Sequence, residues 1–331
     1  MIDGELVILA GVTAQLRAVD AKTGKQIWHR DLLKDYAHQL GFFGYGPSPF
    51  VWKDLVLVNV GGTGEADGKG VCVAAFDKKT GEEKWRYLDT WGASYSSPVV
   101  RKLHGKDVFL VLAGGESRPA HGGLLALDPA TGKLHHRFPW RAEKYESVNA
   151  SVPIAIGGKF VFLSECYAKG GTLLEFAKDL SAKPVWEERW FGMHWMTPLQ
   201  RGGHIYGFAG RNKPDVQFKC ARVKDGEILW KDDMQYQAEV GGRNMTLSFF
   251  RGSLLQADGR TFALGEDGVF AEFELSPKAV KVKQQTQLFV AEQTWALPVV
   301  HRGLLYISQH TKDFIDGKPP RLICYDFRAE P

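Results

Sequence analysis

The chain has 331 residues, 44% of them hydrophobic and 24% charged, enough apolar material to bury a large core in one or two soluble domains. Its formal charge is only +4 and basic residues are scattered among acidic ones. That excludes the concentrated basic stripe a phosphate backbone requires, so nucleic acid is not an expected partner. No run reaches the roughly 20 apolar residues of a membrane span, and the opening MIDGELVILAG lacks the basic start and long apolar stretch of an export signal.

From the N-terminus the elements are strands joined by tight turns. ELVILAG is an apolar strand, and Leu16 to Trp28 then reads LRAVDAKTGKQIW. An alternating strand, an Asp-x-x-Thr-Gly turn and a second strand carrying an aromatic residue predict a β-hairpin. The Asp20 carboxylate can bond turn amides, and Gly24 supplies the backbone freedom such a turn demands. After Pro49 comes another apolar strand, KDLVLVNV, followed by the glycine-rich GGTGEADGKG from Gly61 to Gly70. That segment precedes a strand and not a helix, so it lacks the helix N-terminus of a phosphate cradle and reads as a hairpin loop. VAAFDKKTGEEKW then repeats the first motif with Asp77, Gly81 and Trp85 at the same offsets.

A third copy, LLALDPATGKLHH, keeps Asp128 and Gly132 but places His136 at the Trp position. His135 and His136 are neighbours on one strand and so point to opposite faces, which disfavours a shared metal. The fourth unit contributes GKFVFLSE and Trp186, and the fifth keeps the Gly226-to-Trp230 spacing in ARVKDGEILW. A proline opens an apolar pair at Pro49, Pro98, Pro153, Pro198 and Pro298, with Leu247 filling the one gap. GSLLQADG and GLLYISQH follow the last two of these positions, as KDVFLVLA follows Pro98.

The full unit is four strands, A to D, as in SSPVV, DVFLVL, GGLLALD and KLHHRF. Units of roughly 40 to 50 residues without a helical period are propeller blades. The fold class is therefore all-β: one seven-bladed β-propeller of four-stranded antiparallel blades over residues 1–331. Its blades fall near 1–40, 41–90, 91–142, 143–191, 192–238, 239–290 and 291–331. The first unit starts on strand B, ELVILAG, and the last ends on strand C, RLICYDF, so both are expected to be incomplete, with three strands each. This reading makes the chain an N-terminally shortened form whose upstream residues would supply one A strand, one D strand and any export signal. Edges left open in this way favour self-association.

Cys72, Cys166, Cys220 and Cys324 lie far apart with no Cys-x-x-Cys pair or clustered histidine, so no zinc or other metal site is expected. Cys72, Cys220 and Cys324 sit in apolar strands, where a free thiol behaves as a small core residue.

The Asp20-x-x-Thr23-Gly24-x-x-x-Trp28 pattern and its copy from Asp77 to Trp85 resemble the tryptophan-docking motif of quinoprotein propellers, the PQQ-like repeat superfamily. In that motif each Trp docks one blade on the next, which assigns structural roles to Asp20, Gly24, Trp28, Asp77, Gly81, Trp85, Asp128, Gly132, Trp186, Gly226 and Trp230. Trp28, Trp85, Trp186 and Trp230 are expected to be largely buried between blades. Segments such as YSSPVV at Tyr95, VNASVP at Val148 and TWALPVV at Thr294 are similar to BamB-like and planctomycete-type members. The resemblance implies an exported or periplasmic propeller that is a non-catalytic scaffold for a protein or peptide. The alternative it implies is a PQQ-dependent oxidoreductase with calcium. The adjacent cysteines that many such oxidoreductases carry beneath the quinone are missing from the sequence, and it contains no G-x-S-x-G elbow, Walker loop or H-E-x-x-H motif. No catalytic residue and no cofactor are predicted.

Propeller geometry places the D-to-A connections at one mouth of the central channel. Those segments mix aromatic and hydrogen-bonding residues, as ligand pockets do. The candidate ligand-binding set is Tyr45, Ser48, Tyr95, Ser96, Asn149, His194, Trp195, Arg243, Asn244 and Trp295.

Overall fold

A computed structural model of the chain describes residues 1–62, 70–116 and 120–328. Most of the Gly61–Gly70 loop lies outside the described residues. Two compact units divide the chain, Met1–Trp195 and Met196–Pro331.

The first unit holds four antiparallel sheets, each with its strands in chain order. They are β1–β4 (Ile2–Asp3, Leu6–Ala10, Gln15–Asp20, Gln26–Asp31), β5–β8 (Phe50–Trp52, Leu55–Asn59, Gly70–Asp77, Glu83–Asp89), β9–β12 (Val99–Leu103, Lys106–Ala113, Gly123–Leu127, Leu134–Pro139) and β13–β16 (Ile154–Ile156, Phe160–Glu165, Gly170–Phe176, Ala182–Glu188). One short helix, α1 (Leu32–Tyr36), follows β4; the Asp31 side chain caps it by accepting from Lys34 N at 3.2 Å. The second unit holds β17–β20 (Leu199–Arg201, His204–Ala209, Gln217–Arg222, Ile228–Asp232), a separate hairpin β21–β22 (Gln235–Val240, Arg243–Ser248), β23–β26 (Ser253–Ala257, Arg260–Leu264, Val269–Leu275, Val280–Gln287) and β27–β29 (Val299–His301, Leu304–Gln309, Arg321–Asp326). Seven successive antiparallel sheets of this kind make the fold an all-β, seven-bladed β-propeller.

Two details differ from the sequence reading. The first sheet has a fourth strand after all: Ile2 and Asp3 pair with Val7 and Leu6, a strand too short for an alternation pattern to reveal. The last sheet has three strands, as expected. In the sixth unit the assignment slips by one strand. Leu247 belongs to the hairpin, paired with Tyr236, and the innermost strand of that sheet is Ser253–Ala257, the segment expected to be second.

The second sheet shows how the core is built. Strand alternation sends Val56, Val58, Ala74 and Phe76 to one face, packed with Ile8, Leu16, Ala18 and Trp28. Leu57, Val73 and Ala75 go to the other face, packed with Phe109, Val111, Leu125 and Leu127 of the third sheet. Middle strands buried on both faces explain the near-continuous apolar runs LVLVN and VCVAAF.

The motif turns share one geometry. Asp20 Oδ1 accepts from Thr23 N at 2.7 Å and Lys22 N at 3.1 Å; Asp77 and Asp128 repeat this with Thr80 and Lys79, and with Thr131 and Ala130. Gly24, Gly81 and Gly132 sit at φ +69°, +72° and +72°. Trp28 Nε1 donates to Lys78 O at 2.9 Å, Trp85 Nε1 to Pro129 O at 3.2 Å and Trp230 Nε1 to Ser276 O at 3.0 Å, each in the turn of the following sheet. A Cβ on Gly81 would lie 2.7 Å from the Trp28 ring, so the turn needs glycine for its dihedral and for the docked indole. Among these tryptophans Trp28 is buried, while Trp85, Trp186 and Trp230 are half-buried, less than the sequence reading expects for them. His136 keeps the Trp position, accepting from Ala182 N at 3.4 Å. The four thiols are free, and Cys324 is exposed on β29, contrary to the core role expected for it. Among the described residues no helix is long and apolar enough to cross a membrane.

Candidate functional site

In a four-stranded meander the loop between the second and third strands leaves from the same end as the connection to the next sheet. In the first unit this gathers residues 38–41, Gly44, Tyr45, Thr90, residues 92–95 and Tyr145 from three inter-sheet connections with Gly61, Gly115, Glu116 and His121 from two inner loops. Together they line a cleft of about 580 Å³, within the range of ligand pockets.

One wall is the segment Gln39–Gly46. Gly44 N donates to Gly41 O at 2.9 Å and closes a β-turn with Phe42 and Phe43 at its tip. Both tip amides are taken by side chains: Phe42 N donates to Glu116 Oε2 at 2.6 Å and Phe43 N to Tyr95 Oη at 3.1 Å. Tyr95 Oη in turn donates to Glu116 Oε1 at 3.2 Å. Burial pushes the Tyr95 phenol up to about 12, so it stays a neutral donor at physiological pH. A Cβ on Gly41 would strike Tyr95 Oη, and one on Gly46 would lie 2.8 Å from the Tyr95 ring. Glycine at both places lets the segment lie directly on that tyrosine. With its backbone held, the turn projects its side chains into solvent: Phe42 is 85% exposed and Phe43 54%. Their rings meet edge to face at 4.9 Å, and Phe43 meets Tyr95 at 5.8 Å. Leu40 and Tyr145 are also exposed along the rim.

The floor is polar. His38 is buried, with Nδ1 at 3.3 Å from Gly61 O, and burial holds its imidazole below the usual histidine range, hence neutral. Tyr45 donates to Asn59 O at 3.0 Å. Beneath lies buried Arg141, whose guanidinium donates to Ser147 Oγ at 3.0 Å and to the carbonyls of His121, Tyr145 and Ser147. It thereby ties two lining segments together. Buried Glu165 accepts from Ala142 N, and burial raises its carboxyl above the usual range.

Of the residues expected at the ligand site, only Tyr45 and Tyr95 line this cleft. Ser96 and Asn149 are fully buried staples: Ser96 Oγ donates to Ser151 O at 2.9 Å, and Asn149 Nδ2 donates to Gly114 O at 2.6 Å and Ala113 O at 3.3 Å. Ser48 is exposed, and its amide donates to Ser97 Oγ. His194 is buried against Tyr167 Oη at 3.0 Å and lies 4.4 Å from the half-buried Trp195 ring. In the second unit Trp295 Nε1 donates to Glu266 Oε1 at 2.9 Å, beside the buried Arg251–Glu266 ion pair. Arg243 and Asn244 are displaced from the expected position. They lie exposed at the tip of the β21–β22 hairpin, next to the Gly241-Gly242 turn and not in a connection between sheets. Sequence reasoning missed His38, Phe42, Phe43, Glu116, His121 and Tyr145. The available signal was GFFG, two adjacent phenylalanines between glycines in a segment otherwise reading as loop.

A propeller of hairpins stapled by Asp-x-x-Thr-Gly turns and docked indoles defines a PQQ-like repeat protein. The chain belongs to the family described as outer membrane protein assembly factor BamB, whose model matches residues 1–232. It is 24% identical over 309 residues to the outer membrane protein assembly factor BamB of Burkholderia pseudomallei, covering 78% of this chain and 73% of that relative. A shorter match, 35% identical over 78 residues, is to the quinohemoprotein alcohol dehydrogenase of Comamonas testosteroni, covering 24% of this chain and 10% of that enzyme. Among solved structures, BamB from Moraxella catarrhalis matches with a TM-score of 0.59 at 14% identity, over 92% of this chain and 79% of that one. The Comamonas testosteroni dehydrogenase matches with a TM-score of 0.61 at 14% identity, over 98% and 66%. At these identities the structural likenesses speak to fold alone.

Proposed function

We propose that the chain is a non-catalytic interaction scaffold that receives a protein or peptide at the aromatic rim of the first unit's cleft. The observation that carries this is the Gly41–Gly44 turn. Exposing Phe42 loses the stabilisation that burying a phenylalanine gives, about 1.5–3 kcal/mol. Yet Glu116 and Tyr95 hold the turn's amides, so the backbone that carries both outward-facing rings is fixed. Exposed aromatics on a held turn beside a pocket have the properties of binding hot spots, because little backbone entropy remains to be lost on association. Similarity to an outer membrane protein assembly factor supports a partner from that machinery and an exported, periplasmic location.

The dehydrogenase likeness raises PQQ with a metal as the competing reading. A metal that polarises a quinone needs converging donors, and among the described residues no group of three or more His, Cys, Asp or Glu side chains is placed to hold one. Glu116, the carboxylate of the cleft, already accepts from Phe42 N and Tyr95 Oη. These residues do not fit the group. Incubation with PQQ and calcium followed by desalting tests the choice. The scaffold reading expects no quinone absorbance to remain with the protein; a retained stoichiometric spectrum overturns it.

A further inference from the structure

Between β20 and β23 the second unit inserts the β21–β22 hairpin, a sheet of two strands paired with no other. The sequence encodes it locally. Tyr236, Ala238 and Val240 alternate with Gln235, Gln237 and Glu239, Gly241-Gly242 turns the chain at φ +58° and +77°, and Met245 and Leu247 alternate with Asn244 and Thr246. The register pairs Ala238 with Met245 and Tyr236 with Leu247, so one face is apolar with Arg243 at its tip, and the other is polar. The first strand anchors the hairpin: the Tyr236 ring meets Phe249 edge to face at 5.6 Å, and its Oη donates to Gln287 Oε1 at 3.0 Å. The second strand is the open one, with residues 243–246 exposed in succession and Met245 45% exposed.

A two-residue turn makes its flanking residues, Val240 and Arg243, a hydrogen-bonded pair. The bond from Phe249 N to Met234 O at 3.2 Å keeps the same phase at the base. Alternation therefore directs the N–H and C=O groups of Asn244, Thr246 and Ser248 away from β21, and among the described residues no strand receives them. Elsewhere the protein protects such edges. In all six four-stranded sheets the ladder of the last strand carries a register shift, and a bulge twists an edge away from further pairing. Lys183 and Pro184 in β16, and Lys281 and Lys283 in β26, guard those edges further. The β21–β22 ladder runs unbroken through six pairs, and β22, RNMTLS, contains neither proline nor lysine. Two strands alone are marginally stable in water, so a third would stabilise the hairpin as well as fill its edge.

We propose that the outer edge of β22 binds an extended segment of a second polypeptide as a third, antiparallel strand. The recognising groups are main-chain donors and acceptors, which specifies a strand as the ligand, and the two faces of the hairpin set its side-chain pattern. Read from the N-terminus of that segment, the residues opposite Leu247 and Met245 are apolar and the one opposite Arg243 is acidic. Those opposite Ser248, Thr246 and Asn244 are polar. The surface uses residues of the second unit only and does not depend on the cleft of the first.

The test uses the whole protein and a fluorescein-labelled peptide of this pattern, KGTVTITEGK, with two counterparts. KGTVPITEGK lacks the N–H that the Thr246 carbonyl would accept, and KGTVTITKGK reverses the charge opposite Arg243. Anisotropy is expected to show saturable binding of the first peptide, at least tenfold weaker binding of the proline peptide and at least threefold weaker binding of the lysine peptide. Thr246→Pro removes an outward N–H and leaves the ladder to β21 in place, so it is expected to weaken binding at least tenfold with an unchanged circular dichroism spectrum. Thr246→Val, which keeps that N–H, is expected to bind within twofold of wild type. Equal affinity of the wild-type protein for the first peptide and the proline peptide overturns the proposal, as does equal affinity of wild type and a folded Thr246→Pro for the first peptide. Light scattering that shows a dimer dissolved by Thr246→Pro and not by excess peptide overturns it too, since the edge is then occupied by a second copy of this chain.

Discussion

The turns at Gly81 and Gly24 have the same motif, the same aspartate cap and nearly the same φ, yet one is buried under an indole and the other is open to solvent. The difference teaches that Asp-x-x-Thr-Gly encodes a turn, while docking is a property of the strand that reaches it. A repeat motif thus records a local conformation completely and a tertiary contact only by half.

Removing the indole from the occupied turn has the largest expected effect. Trp28 is 7% exposed and bonded to Lys78 O, so Trp28→Ala is expected to cost about 3–5 kcal/mol, read as a fall in Tm and in the urea midpoint. Cost within 1 kcal/mol would place the docking energy elsewhere. Next comes alanine at each glycine. Gly24→Ala suffers only the left-handed backbone strain, about 1–2 kcal/mol, whereas Gly81→Ala must also displace the Trp28 ring and is expected to lose at least about 1 kcal/mol more. Equal losses at the two sites would break the comparison.

A smaller effect sharpens it from the other side. Hydrogen bonds from Thr23, and from Thr80 in the second turn, hold the Asp20 and Asp77 carboxyls below the usual aspartate range. A folded value below the unfolded one means each contributes stability above the unfolded pKa of about 3.9. That contribution is lost as pH falls through the lower folded value. Because the turns are local, carboxyl NMR titrations are expected to give depressed midpoints at both residues, docked or not. An ordinary midpoint at Asp20 alone would mean that the turn forms only under an indole.

Legibility in the sequence followed the same division. Strand pairs, turns and the count of seven could be read because their determinants lie within about a dozen residues of one another, as from Leu16 to Trp28. The two-residue strand Ile2–Asp3 was illegible because alternation needs more positions than it has. In the sixth unit, Leu247 in the proline register concealed an inserted hairpin with a strand period of its own. The cleft was legible only in part. Tyr45 and Tyr95 could be placed from propeller geometry, but Glu116, the partner of Tyr95, comes from an inner loop, and no spacing rule connects residue 116 to Phe42. Ser96 and Asn149 looked like ligand groups because a polar residue that satisfies a neighbour's backbone has the same letters as one that meets a ligand.

The smallest expected stability effect falls on the surface assigned the function. Phe42→Ser with Phe43→Ser removes two exposed rings and leaves the amide bonds to Glu116 and Tyr95, so the change in unfolding free energy should stay within about 0.5 kcal/mol per residue. Binding should respond in the opposite proportion, since a hot-spot aromatic contributes about 2 kcal/mol or more. The most direct measurement compares wild type, the Phe42→Ser/Phe43→Ser variant and a Phe314→Ser control, whose ring is 64% exposed in the second unit. Each is used for quantitative capture of outer-membrane assembly components, and affinity is then determined for the purified partner. The scaffold account predicts that the double variant loses that partner by at least tenfold while melting like wild type, and that the control keeps it; equal affinity for all three would contradict it.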